Sequence, residues 1–175
     1  MNGSYTSLNN LSMPSTVVLR HYKENIKKCS LSGLEEDPNF LFFSYPKSMP
    51  EGLEGTIVLT LDAPVLSKED SDLDLLLVDG TWRYAAQMEE KLPAKNPKLI
   101  KRSLPHNITT AYPRKQTGCF DPARGLASIE ALYVAHQLTG RPYENLLNRY
   151  YWKEEFLLKN PSLEAFSEFL DLRGI

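Results

Sequence analysis

A chain of 175 residues, 24% charged and 42% hydrophobic, suffices for one substantial domain or two small halves sharing a site, and is too apolar to stay disordered. Cys29 and Cys119 are too few for a disulfide scaffold and stand in no zinc-ligand spacing, which points to a reducing cytoplasm. No apolar run approaches the ~20 residues that cross a membrane, and Met1 to Met13 lacks the basic start and apolar centre of a signal peptide.

Residues 1–14 read as a flexible tail. Ser15 to His21 has the β-branched content of a first strand. Asn39 to Tyr45 and Thr56 to Leu61 are two more short buried-strand candidates, separated by Pro46, Pro50, Gly52 and Gly55. Ser67-Lys68-Glu69-Asp70 suits either a capping box or an acidic loop. Leu73 and Leu75 to Val78 are then apolar without alternation, as in a parallel strand covered on both faces. This run stops at Asp79-Gly80-Thr81-Trp82, and ligands of open α/β sheets collect just beyond the carboxyl ends of strands. The same four residues also suit a plain turn into a helix, with Asp79 or Thr81 as N-cap and Trp82 in the core. Trp82 to Leu92 reads as that helix, ended by Pro93.

Leu99 to Leu104 is a last strand, closing an α/β half over residues 15–104. Residues 105–175 read as a long loop, from His106 to Gly125, and a helical half. Leu126 to Thr139 carries Ile129, Leu132, Tyr133 and His136 at helical spacing, with Gly140 to stop it and Pro142 to block continuation. Tyr143 to Tyr151, Trp152 to Leu158 and Pro161 to Leu172 follow as short helices, the last capped by Asn160. No internal repeat or low-complexity tract interrupts this order.

The net charge of −2 conceals an asymmetry, because residues 83–124 hold nine basic side chains against three acidic ones. Such a cluster, with Lys101, Arg102, Arg114 and Lys115 at its centre, suits either a phosphate-binding footprint or a solvated set of loops. There is no Gly-x-Gly-x-x-Gly and no Gly-Lys-Ser/Thr, so neither a dinucleotide fingerprint nor a phosphate loop is present. His21, His106 and His136 show no metal spacing, and no metal is expected; His136 reads as a satisfied core histidine. The pair Asp79 and Trp82 suits a cationic ligand, since an indole face attracts a cation and a carboxylate can accept a proton.

Several segments occur in an order that resembles the ribosomal-RNA aminocarboxypropyltransferase family. They are Lys27-Lys28-Cys29-Ser30, Leu66 to Asp70, Val78 to Trp82, Leu104-Pro105, Leu126 to Ala131, and Tyr151 to Leu157 with Asn160. The resemblance spans nearly the whole chain. It implies a knotted, SPOUT-like α/β architecture with the site between the two halves. It also implies transfer of the 3-amino-3-carboxypropyl group of S-adenosylmethionine to N3 of a uridine or pseudouridine in ribosomal RNA, hence a role in ribosome biogenesis. Asp79-Gly80-Thr81-Trp82 and Arg114-Lys115-Gln116 are spelled as in the related DTW-domain enzymes, which makes transfer RNA the alternative substrate. A non-catalytic assembly factor and a plain methyltransferase are further alternatives.

Matched position by position, the resemblance makes Asp79 the proton acceptor and Trp82 the indole that packs on the methionine part of the cofactor. Ser30, Val78, Leu104, Leu126, Ala127 and Ser128 match positions that border S-adenosylmethionine. RNA contact falls to Lys101, Arg102, Arg114 and Lys115, and the protein is expected to act as a monomer with no membrane partner.

Overall fold

The computed structural model describes residues 14–113 and 125–164. Almost all of the tail expected over 1–14, together with Arg114, Lys115, Cys119 and residues 165–172 of the last expected helix, lies outside the described residues.

Five short strands form one sheet: β1 (Thr16–His21), β2 (Phe40–Tyr45), β3 (Ile57–Leu59), β4 (Leu75–Asp79) and β5 (Ile100–Arg102). Every pairing is parallel and the order is β2-β1-β4-β3-β5. The unbroken apolar character of β1 and β4 follows from their central places, where both faces are covered. Alternate residues point to opposite faces, so Val18, Leu75 and Leu77 join one core cluster while Val17, Leu19 and Leu76 join another. The first cluster is completed by Ile129, Leu132 and Phe156, from α2 (Ser128–Thr139) and α3 (Lys153–Lys159). The second is completed by Met88 and Leu92 of α1 (Trp82–Lys95). The α/β class with a parallel sheet and helices therefore agrees with the sequence reading. No helix among the described residues is long and apolar enough to cross a membrane.

Three expectations about helices are corrected. Pro93 does not end α1, which runs on to Lys95. A proline this near the end removes one amide from the ladder, and Asn96 compensates: its N–H donates to the Leu92 carbonyl (3.0 Å), its Nδ2 to the Pro50 carbonyl (2.9 Å), and its Oδ1 accepts from Leu53 N–H (3.1 Å). Tyr143 to Tyr151 is a succession of tight turns, closed by Leu146 N–H to Tyr143, Asn148 N–H to Asn145 and Tyr150 N–H to Leu147. Asn160 directs its side chain away from residues 161–164: Oδ1 accepts from Thr109 N–H (2.7 Å) and Nδ2 donates to the carbonyls of Thr109 and Phe156. It ties the loop after β5 to α3.

The remaining signals hold. Ser67 and Asp70 form a capping box on a short 3-10 turn. Gly140 stops α2 at φ +69°, a left-handed conformation that costs glycine little. His136 is 5% exposed and bonded at both ring nitrogens, to Thr16 Oγ1 (3.0 Å) and to the Pro142 carbonyl (2.9 Å). A carbonyl only accepts, so Nδ1 carries the proton and Nε2 accepts from Thr16.

Candidate active site

At the end of β4 the chain turns through Gly80 directly into α1. A Cβ on Gly80 would lie 3.0 Å from Met88 Cε and 3.4 Å from His21 Cβ, so helix and strand approach closely there and a side chain would press on both residues. Thr81 occupies the N-cap position but makes no side-chain capping bond. Asp79 does not cap the helix either, because its carboxylate is turned sideways across the sheet.

Beyond these strand ends lies a cleft of about 1010 Å³, its open mouth included. The ends of β3 and β4 form its floor, and Trp82, Ala85 and Glu89, spaced along one face of α1, form one wall. The loop after β5, through Leu104, Ile108 and Tyr112, forms another. Of the residues matched to the cofactor, Val78, Trp82, Leu104, Leu126, Ala127 and Ser128 all border this one cleft. Trp82 is half-buried on its wall.

Ser30 and Asp79 do not border it; they stand behind it. Ser30 Oγ accepts from Ile129 N–H (3.2 Å), supplying a cap to the start of α2 that Ala127, without a side-chain oxygen, cannot. Asp79 is 5% exposed and fully engaged. Its Oδ1 accepts from Ser128 Oγ (2.7 Å), and its Oδ2 from Arg20 Nε (3.0 Å) and Cys29 Sγ (3.3 Å). Arg20 is the register partner of Asp79 on β1, and its other end is held by Glu35 at 2.7 Å. Burial, reinforced by the neighbouring Asp79 charge, pushes the Cys29 thiol up to about 12, so Cys29 remains a thiol and donates.

The sequence reading assigned no role to three residues that matter here. Glu130 is fully buried and accepts four hydrogen bonds: Oε1 from Ala111 N–H (2.9 Å) and the Tyr150 hydroxyl (2.9 Å), Oε2 from Ala127 N–H (2.8 Å) and Thr110 Oγ1 (2.6 Å). It thereby joins the two loops that flank the cleft. Thr60, just past β3, lines the cleft with a buried hydroxyl that has no partner among the described residues. Continued along the register of β3 and β4 it stands level with Val78, and the rule about strand ends would have found it. Glu89 lines the same cleft, and its carboxyl is held above the ordinary range by burial, against the opposing pull of Lys101. A carboxylate at helical spacing from Trp82 was the available signal.

The expected RNA residues separate. Arg102 directs Nε at both carboxylate oxygens of Asp70 (3.2 and 3.1 Å), an ion pair that fixes β5 to the 3-10 turn before β4. Lys101 is exposed beside it. Arg114 and Lys115 lie outside the described residues.

No protein-family profile matches the sequence, and no curated protein matches it. Among solved structures, the fold is similar to that of the SAM-dependent rRNA:acp-transferase Tsr3 from Vulcanisaeta distributa. The likeness covers 90% of this chain and 84% of that one, at a TM-score of 0.67 and 23% sequence identity. The chain thus shares the α/β fold of that structure.

Proposed function

We propose that this protein is an RNA aminocarboxypropyltransferase, moving the 3-amino-3-carboxypropyl group of S-adenosylmethionine to N3 of a uridine or pseudouridine in ribosomal RNA. The observation that carries the reading is that six residues matched to a cofactor site, from three separate segments, border a single cleft at the carboxyl ends of parallel strands. The fold likeness to an rRNA:acp-transferase supports it.

The cleft suits the cofactor chemically. Most of its lining residues are apolar, which suits an adenosine and a methionine chain, and polar atoms share its surface, among them Thr60 Oγ1, a buried hydroxyl with no partner among the described residues. Trp82 offers an indole face to a cation, and the Glu89 carboxylate adds the complementary charge. When bound, S-adenosylmethionine supplies a sulfonium whose adjacent carbons are electrophilic. Trp82, Leu104 and Leu126 orient it and exclude water, so geometry selects the aminocarboxypropyl carbon over the methyl.

The incoming nitrogen must lose a proton. Because Asp79 does not border the cleft, the reading gives contact with the base to Ser128 Oγ: it takes the N3 proton while passing its own to Asp79 Oδ1. Arg20 and Cys29 hold the carboxylate in place for that exchange. The same proposal includes the division into halves at 104/105 with the cleft between them, and a monomer acting in the cytoplasm.

Nucleoside mass spectrometry of ribosomal and transfer RNA, from cells with and without the protein, tests the reading. Loss of an aminocarboxypropyl nucleoside from ribosomal RNA is expected. Loss from transfer RNA alone assigns the other substrate, loss of a methyl nucleoside assigns the other group, and unchanged RNA overturns the enzyme.

A further inference from the structure

A second groove lies beside the cleft. Lys27, Lys28, Ser30, Arg149, Tyr151 and Trp152 border it, and Tyr112 lines both depressions. Lys27, Lys28 and Arg149 are exposed and form no ion pair among the described residues, and no carboxylate is among the residues bordering the groove. The residues bordering the groove thus include three cations and no anion.

It also carries an aromatic platform. Tyr151 is 86% exposed, and its ring stands edge-on to Trp152 with centroids 4.8 Å apart and planes at 80°. Trp152 is itself packed against the core, so the pair is anchored while Tyr151 is left open to solvent. Cations flanking an open aromatic are what an unpaired strand recognises: phosphates meet the cations and a base stacks on the ring. An acidic peptide would use the cations but gain little from the ring.

The floor of the groove connects it to the cleft. Cys29 and Ser30 border the groove, and Cys29 Sγ donates to Asp79, which accepts from Ser128 on the cleft side. Ser30 Oγ accepts from Ile129 N–H, next to Ser128. Material lying in the groove is therefore separated from the Ser128 hydroxyl only by Tyr112 and this short chain of contacts.

We infer that the groove seats a single-stranded stretch of the RNA substrate, with Lys27, Lys28 and Arg149 on phosphates and a base stacked on Tyr151. An adjoining nucleotide then turns past Tyr112 into the cleft. The inference rests on the transferase reading of the cleft, and it places the main RNA contact across the cleft from the β5 face that charge counting favoured.

The test uses the full chain and a labelled single-stranded oligouridine, with binding followed across a salt titration and S-adenosylmethionine binding measured by calorimetry on the same samples. The triple variant Lys27→Ala, Lys28→Ala, Arg149→Ala should lower the salt slope by roughly 2, since each single-strand phosphate contact contributes about 0.7. Tyr151→Ala should weaken binding about tenfold and Tyr151→Phe should restore it, a pattern expected of stacking. Lys101→Ala should change little, and cofactor affinity should stay at the wild-type value throughout. Wild-type binding by both groove variants, or displacement of oligouridine by polyglutamate as effective as by unlabelled RNA, overturns the groove. Groove-dependent RNA binding by a protein that takes no S-adenosylmethionine supports the groove and overturns the reading of the cleft.

Discussion

Ser128 Oγ donates to Asp79 Oδ1 at 2.7 Å, and through that bond a buried carboxylate is connected to the cleft. Removing the hydroxyl should disconnect it. Ser128→Ala is expected to lower kcat for transfer by about 10²-fold, the scale of one general-base contribution, while cofactor affinity changes little. Asp79→Ala should behave differently, because Arg20 and Asp79 side chains are only 10% and 6% exposed. Without this carboxylate Arg20 keeps only Glu35 and a buried donor is left without its acceptor, which should cost about 1–3 kcal/mol of stability, so this variant should melt early as well as react slowly. Single-turnover rates and thermal unfolding measure the two effects. A Ser128→Ala enzyme as fast as wild type removes the proton path.

Trp82 stands half-buried on the wall of the cleft as the first residue of α1. Trp82→Ala should weaken S-adenosylmethionine binding by roughly tenfold, from lost cation–π and apolar contact, with unfolding nearly unchanged. Calorimetry decides: unaltered affinity places the cofactor away from this wall.

Glu130 accepts four hydrogen bonds with no exposure to water, so its loss leaves two amides and two hydroxyls unsatisfied. Glu130→Ala should cost about 4 kcal/mol or more, at ~1–3 kcal/mol for each buried group left without a partner. Glu130→Gln, which keeps the acceptor oxygen, should lose less. Denaturant midpoints of the two variants compare them directly, and equal midpoints would show that the loops around the cleft are held by other contacts.

His136 sets a pH dependence. Burial is the main cause that lowers its pKa from 6.5 to about 4, opposed by the bond to the Pro142 carbonyl. The unfolded chain therefore binds a proton between those values that the folded chain refuses. The contribution is fully present above pH 6.5 and is lost as pH falls towards 4, reaching about 3 kcal/mol at most. His136→Gln should flatten the difference in melting temperature over that interval. A variant with the same pH profile as wild type would show that another group titrates there.

What the sequence by itself determined was the layering and the place of the cleft. The unalternating run Leu75 to Val78 reads as a doubly covered strand and folds as one, because burial and strand polarity are local properties of composition, and its abrupt end at Asp79 and Trp82 lies beside the cleft. Helix ends were legible where the stop signal was conformational, as at Gly140, and misread at Pro93, where Asn96 supplies a partner from the tertiary fold. The environment of each site residue was decided only in three dimensions. Asp79 and Trp82 are three residues apart, yet the sheet turns the acid towards Arg20 and Cys29, contributed by β1 and the segment after it, while the helix turns the indole into the cleft. Ser30, matched to a cofactor position, caps a helix almost a hundred positions away. Arg102 counts as a free cation in a charge sum and is paired with Asp70. A hydrogen bond depends on which surfaces meet, and in a parallel sheet with long crossovers those surfaces come from distant parts of the chain, where no local pattern records the pairing.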